Sequence, residues 1–415
     1  MQAADISPVS PADQTQSELD LLLIFIGANI VATTFQVGAS LVPAFSLSSA
    51  FLLIAVGSIA GAALVAALTP IGPRLRVPSI VACRAALGFH GAGLVAGVLY
   101  ITNFAWIALN NVIAASATSR VVGGEGSQTA WAVGLGLLAT AVVAGGPRMV
   151  ARADRAAVPL MLAVGVALTI ACIRLPLPPP PVPTGELSLA RGFDVVIGYQ
   201  VSWILMFADY SRFNASPSRG LRAVFIGLAV TSLWMMPLGA VAARLAATSD
   251  PGAMLAAVGL GRSGALLLTL ATLTTNFVNI YMSSLAWKSV FPRTRDSIVI
   301  WSIGLVGTAL SAIPGMWLER YTGFMIVLGG VLVPVGGLLV AHFFIKPGLK
   351  AWTGARVEPA IAALYDRNGA IPRWAPAGLL AWTAGTVAYF LSAPIGGTLP
   401  ALFVSLVVYV ALTRS

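Results

Sequence analysis

Charge is the first thing this sequence lacks. Only 9% of its 415 residues are Asp, Glu, Lys or Arg, against about 25% in a soluble domain, so an ordinary water-facing surface cannot be built from it. Cysteine and histidine are almost absent. Cys83 and Cys172 fall at or inside apolar segments with no CxxC spacing and read as inert buried thiols. His90 and His342 are equally poor material for a metal site,. No nucleophile, base and orienting group recur at catalytic spacing, so neither an enzyme nor a cofactor is expected,. G-L-G-R-S-G at 259–264 lacks the preceding strand and the lysine of a phosphate-binding loop,. The first 18 residues carry no Lys or Arg and no cleavage site after a short apolar core, and they do not read as a signal peptide.

What the chain has is hydrocarbon. Hydrophobic residues make up 58% of it, in blocks of roughly 17 or more, the length that crosses a bilayer core of about 30 Å. Twelve apolar spans can be counted, centred near residues 32, 60, 103, 137, 164, 202, 232, 274, 305, 332, 382 and 405, which predicts an all-α polytopic membrane protein with 12 transmembrane helices. The net charge of +10 then reads as topology. With a cytoplasmic N-terminus, the inner loops hold Arg74, Arg76, Arg84, Arg148, Arg152, Arg155, Arg212, Arg219, Arg222, Lys288, Arg293, Arg295, Lys346, Lys350, Arg356, Arg367, Arg373 and Arg414. The outer loops hold only Arg120, Arg174, Arg191, Arg244, Arg262 and Arg320. This asymmetry is the positive-inside pattern. It predicts a multi-pass protein of the cell's inner (plasma) membrane with both termini cytoplasmic, partnered by lipid and not by nucleic acid.

Two polar interruptions divide the spans. The proline run L-P-L-P-P-P-P-V-P at 175–183 reads as an extended connector,, and a long polar stretch at 346–369 separates span ten from the last two. The expected units are a cytoplasmic tail at 1–18, a first five-helix repeat at 19–175, a connector at 176–190, a second repeat at 191–345, a cytoplasmic loop at 346–371, and helices eleven and twelve at 372–415. Five helices per half is an odd number, so the halves enter the membrane in opposite orientations, a 5+5 inverted repeat.

Matching features in such halves point to a transport site. I-G-A-N-I-V at 26–31 and I-G-Y-Q-V-S at 197–202 each place an amide two residues after a glycine in the first helix of a half, which predicts broken helices one and six. A break at 27–30 would free carbonyls suited to a cation, and one at 198–201 would free backbone groups for a polar substrate. In span eight, Ala271, Thr274 and Thr275 share a face,; their oxygens could complete a cation cage, or the hydroxyls could bond back to their own helix. In span three, Asn103, Trp106 and Asn110 stand at i, i+3 and i+7. Amides with donor and acceptor edges beside an indole suit a planar heterocycle, although an interfacial Trp with helix-bridging Asn residues would give the same pattern. Asn276 and Asn279 add further amides in span eight. Asp209 and Arg212, at the end of span six, suit a structural or gate ion pair, with proton coupling as the alternative,.

At these residues the sequence resembles the nucleobase:cation symporter-1 family, the purine, cytosine, hydantoin and allantoin permeases. The resemblance rests on G-A-N-I-V-A-T-T-F-Q-V-G-A, R-A-A-L-G-F-H-G-A-G, V-S-W-I-L-M-F-A-D-Y-S-R-F, T-T-N-F-V-N-I-Y and L-Y-D-R-N-G, in order along the chain. It implies a twelve-helix fold, alternating access, and a Na⁺ site formed by the carbonyls of Gly27, Ile30 and Ala271 with the hydroxyls of Thr274 and Thr275. It also implies a ring sandwiched between aromatics, Trp106 being the first, with Asn103, Asn110 and Asn279 at amide positions. The second aromatic position falls on or beside Gln200, next to Tyr199, and this departure makes Gln200 the expected selector of the ring. His342 stands in span ten where an acidic residue is expected. The reading is a cation-coupled importer, Na⁺ favoured over H⁺ and cytosine favoured as cargo, functioning as a monomer. An uncoupled facilitator or a substrate-sensing membrane receptor is the alternative.

Overall fold

The computed structural model describes residues 6–413 except 43, 124–125, 180–184, 186 and 347–353. Parts of the expected tail, of the connector at 176–190 and of the loop at 346–371, with Lys350 and Arg414, lie outside the described residues, as do the side chains of Arg148 and Arg155. Among the described residues every regular element is helical, and the nearest approach to a strand is an isolated bridge between Gln16 and Asn214.

Ser17 opens α1 (Glu18–Asn29) with a capping box. Its hydroxyl accepts from Asp20 N at 3.1 Å, and Asp20 Oδ2 accepts from Ser17 N at 3.0 Å,. Helical geometry stops at Ile30 and Val31, two β-branched residues that tolerate extended backbone well,. The chain resumes as α2 (Ala32–Leu41), bent by 55° from α1. Thr34 Oγ1 donates to the Asn29 carbonyl at 2.7 Å, so a group freed by the break is paired inside the protein,.

After α3 (Leu47–Leu68) and the short α4 (Ile71–Leu75) comes α5 (Ser79–Val122), which kinks at Gly88, where φ is 77°, a conformation glycine adopts without Cβ strain. The kink exposes backbone groups that another segment takes up. Phe89 N and His90 N donate to the carbonyls of Pro372 and Arg373 at 3.2 and 2.8 Å, and Ala375 N donates to Leu87 O at 3.1 Å. The chain leading into α16 (Pro376–Leu391) is thereby stitched into α5.

α6 (Ser127–Ala144) and α7 (Pro147–Arg174) lead to α8 (Leu189–Val201). Here the expected break at 198–201 is displaced. The helix runs through Val201, and an irregular stretch with 3-10 turns at Ile204–Met206 and Ser211–Phe213 follows it. Gly198 serves packing instead: a Cβ there would stand 2.0 Å from the Met325 carbonyl oxygen in α14 (Tyr321–Val340). The remaining helices are α9 (Pro217–Ala246), α10 (Pro251–Ala257), α11 (Gly261–Val290), α12 (Asp296–Leu310), α13 (Pro314–Glu319), α15 (Val357–Tyr365) and α17 (Thr398–Leu412).

Among the described residues, six helices are long and apolar enough to cross a membrane, seven if α1 and α2 count as one bent span, and four more are apolar but shorter. Their faces are arranged for lipid. α3 turns Leu52, Val56 and Ile59 outward and buries Gly57, Ser58 and Gly61, small residues that let neighbouring backbones approach. At one end of the bundle the N-terminal segment lies docked. Gln14 Nε2 reaches the carbonyls of Pro73, Arg212 and Asn214 at 3.0–3.1 Å, and Tyr365 donates to the Ile6 carbonyl.

Candidate substrate and cation sites

The first break, α5, α8 with the stretch after it, and α11 border one cavity. Val31 and Thr33 contribute from the break, Leu99, Asn103 and Trp106 from α5, Tyr199, Ser202, Trp203 and Met206 from the α8 region, and Thr275 and Asn279 from α11. Trp106 is buried and meets Tyr199 edge-on at 5.9 Å and Phe324 at 5.3 Å, contacts that hold the indole in place. Trp203 Nε1 and Asn279 Nδ2 are buried donors without a protein acceptor, so a ligand bearing a carbonyl or ring nitrogen would satisfy groups that are otherwise costly to bury.

Of the residues singled out in the sequence, Asn103, Trp106, Tyr199 and Asn279 line this cavity and Asn110, Gln200 and Asn276 do not. Asn110 shares an angular position with Asn103 but stands about 10 Å further along the axis. There Asn110 Nδ2 donates to Asn276 Oδ1 at 3.2 Å, and Asn276 Nδ2 donates to Asn111 Oδ1 at 2.9 Å, an amide ladder joining α5 to α11. Gln200 points into α9, its Nε2 donating to Ser232 Oγ at 2.8 Å, so the structure removes the reason for making it the ring selector. The residue overlooked in the sequence is Trp203. Its signal was the indole in V-S-W-I-L-M, hidden by the assumption that the chain breaks at 198–201 when it breaks from Ser202 onward.

The groups expected around a cation lie against the first break. Val31 and Ala271 pack in one cluster with Ala157 and Met161 of α7. No hydrogen bond among the described residues ends on the carbonyls of Gly27 or Ile30, leaving both oxygens able to coordinate. Thr275 and Thr274 both donate to the Ala271 carbonyl, at 2.6 and 3.1 Å. The Thr275 hydrogen is thus committed to its own helix, the Thr274 hydrogen is shared between that carbonyl and the Met161 sulfur at 3.8 Å, and the lone pairs of both hydroxyl oxygens stay available. The donor set is oxygen-rich and uncharged, which fits a weakly held monovalent ion. A second, smaller cavity touches Ile30 and Ala271, but Phe35, Leu168 and Met235 wall it with hydrocarbon.

Asp209 and Arg212, expected as a structural or gate ion pair, are both buried at the end of the irregular stretch, and the Arg212 charge acts on the Asp209 carboxylate. The Asp209 carboxylate accepts from Ser79 N at 3.3 Å and Ser79 Oγ at 2.6 Å, capping the start of α5,; Arg212 donates to the Ser7 carbonyl at 3.2 Å. At the other end of the same segment Asp194, unremarked in the sequence, accepts from Gly397 N, Thr398 N and Thr398 Oγ1 at 2.7–3.0 Å and caps α17. His342 is bonded to the Tyr409 hydroxyl of α17 at 2.6 Å.

Comparison with known proteins places this geometry. The sequence model for permeases for cytosine/purines, uracil, thiamine and allantoin matches residues 8–409. A putative purine-cytosine permease of Bacillus subtilis (strain 168), YxlA, is 26% identical over 398 residues, covering 90% of this chain and 82% of its own. Among solved structures, Mhp1, a nucleobase-cation-symport-1 family transporter, superposes in a closed conformation with bromovinylhydantoin bound at a TM-score of 0.81, with 17% identity over 99% of this chain and 94% of its own. Its inward-facing conformation gives 0.82, over 98% of this chain and 92% of its own. A Na⁺-coupled sialic acid symporter gives 0.54 at 10% identity, covering 98% of both chains.

Proposed function

The chain belongs to the family of permeases for cytosine/purines, uracil, thiamine and allantoin, and we propose that it is a Na⁺-coupled importer of a cytosine-like heterocycle that works by alternating access. It is a multi-pass membrane transporter and not an enzyme. The observation that carries the finer reading is the cavity itself: two indoles, Trp106 and Trp203, and the unpaired Asn279 amide stand beside a helix break with two uncommitted carbonyls. Flat apolar faces bind a ring, the amide and indole N–H groups read its polar edge, and the break offers a cation the oxygens it needs.

Twelve spans follow when the long helices, the bent pair, the shorter apolar helices and α8 with its continuation are taken together. The first ten form the two halves of an inverted repeat, and α16 and α17 stand outside it. On this reading the protein works as a monomer in the inner membrane with both termini cytoplasmic, the side favoured by its basic loops,.

The test is uptake of labelled cytosine, uracil, adenine, allantoin and hydantoin into proteoliposomes, with and without an inward Na⁺ gradient. Concentrative uptake of at least one of these that needs Na⁺ and is lost in Trp106→Ala and Trp203→Ala is the expected result. Uptake that ignores both indoles would sink the site. A second reading, an uncoupled facilitator, draws on the bonds that both threonine hydroxyls make to the Ala271 carbonyl. It predicts equilibration without accumulation, indifferent to Na⁺ and to Thr275→Ala. A receptor would bind the ring without moving it.

A further inference from the structure

Tyr199 belongs to both candidate sites at once. Its ring lines the cavity and meets Trp106 edge-on at 5.9 Å, with the ring planes 83° apart. Its hydroxyl leaves the cavity, donates to Asn29 Oδ1 at 3.0 Å and lies in hydrogen-bond contact with Thr34 Oγ1. Asn29 and Thr34 are the residues on either side of the first break, joined across it by the Thr34 hydroxyl and the Asn29 carbonyl. The expected cation carbonyls, of Gly27 and Ile30, flank Asn29 in sequence.

The Asn29 amide has little freedom of its own. Its nitrogen is held by α9 through Leu228 O, Thr231 Oγ1 and Ser232 Oγ at 2.7–3.2 Å. Its oxygen accepts from the Tyr199 hydroxyl at 3.0 Å. A shift of the Tyr199 ring as the cavity fills therefore reaches the backbone of the break through one hydroxyl, and a shift of the break on ion binding reaches the ring by the same route. All three side chains are buried, so water cannot substitute for the bond,.

We infer that the Tyr199 hydroxyl is the positioning group that couples cation occupancy at the first break to substrate affinity in the cavity, an inference that rests on the cation-coupled reading above. Coupling is reciprocal, so the same factor must appear when substrate affinity is measured against Na⁺ and when Na⁺ affinity is measured against substrate.

The experiment measures equilibrium binding of the same five labelled heterocycles to detergent-purified protein in Na⁺ and in choline, and of ²²Na⁺ with and without the heterocycle that binds. Wild type is expected to bind its heterocycle about tenfold more tightly in Na⁺. In Tyr199→Phe the ratio of the two affinities falls below about twofold, whatever the affinity in choline, and the ²²Na⁺ ratio falls with it. Thr34→Val, outside the cavity lining, loses the ratio while holding its choline affinity within about twofold, and Thr34→Ser restores it. Thr231→Val, which trims the α9 side of Asn29, lowers thermal stability and keeps the ratio. A Tyr199→Phe protein with wild-type ratios overturns the inference and leaves the coupled reading standing. A wild-type protein that binds a heterocycle with no Na⁺ dependence overturns both, and one that binds none of the five overturns the substrate reading along with them.

Discussion

The two interrupted helices begin with the same outline, a glycine and then an amide two residues on, and they end differently. The first loses two residues, turns by 55° and resumes as α2. The second runs on through Val201 and does not resume as α-helix before Asn214. In the first the break itself borders the cavity; in the second, Tyr199 reaches it from the last helical turn and Trp203 from the irregular stretch beyond. The matching amides do not line the cavity. Asn29 Nδ2 and Gln200 Nε2 both donate to Ser232 Oγ, each at 2.8 Å, so the repeated feature pins both interrupted helices to one hydroxyl of α9. A shared sequence pattern here marks a shared anchor, and the groups that line the cavity lie beside it.

Five substitutions would break or sharpen this contrast. Gly198→Val should have the largest effect, because its side chain would meet the Met325 carbonyl, 2.0 Å from the Cβ position, and a backbone cannot yield as a side chain can. A loss at or beyond the ~1–3 kcal/mol typical of overpacking is expected, read as a lower yield of monodisperse protein and a lower unfolding temperature; a normal yield would put the α8 and α14 crossing in question. Ser232→Ala comes next. It removes the acceptor shared by the two amides, and a cost of about 1–3 kcal/mol for the stranded Gln200 donor is expected in thermal unfolding, Asn29 keeping Thr231 Oγ1 and the Leu228 carbonyl.

The caps at the two ends of the second interrupted segment give a gentler comparison. Asp194→Asn and Asp209→Asn each keep an acceptor but lose the charge at a helix start, and each is expected to cost about 1 kcal/mol. If both caps are structural, neither change should alter the Na⁺ dependence of uptake; a changed dependence in Asp209→Asn alone would revive a coupling role for it. Smallest of all is Gln200→Leu. With its amide turned toward α9, the order of preference among cytosine, uracil, adenine, allantoin and hydantoin should survive, and reversal of that order in competition uptake would return Gln200 to the site.

The site was partly legible because some of its residues repeat at helical spacing within uninterrupted helices. Trp106 and Asn103 are three residues apart on α5, and the face they share can be read from spacing alone,. Asn110 shares that face too, yet it meets Asn276 and not the cavity, because spacing gives the angle around a helix and says nothing of how far along the axis a cavity extends. Trp203 escaped for a different reason. Beyond the end of a helix there is no fixed angular step, so a residue a short distance past the break cannot be assigned a direction. Asp194 was equally hidden, since its partners at Gly397 and Thr398 lie about two hundred residues away in sequence.

Hydropathy, charge asymmetry and the order of short motifs determined the membrane class, the all-helical character and the family, because each is a local or additive property that survives without coordinates. Which amides line the cavity, where the second helix gives way, and which hydroxyl bonds to the residues around the first break were decided by tertiary structure. Those outcomes depend on how α5, α8, α9 and α11 cross and on the rotational phase at which each one stops. A displacement of a few residues in the second break, close to one full helical turn, was enough to exchange Gln200 for Trp203 in the wall of the cavity.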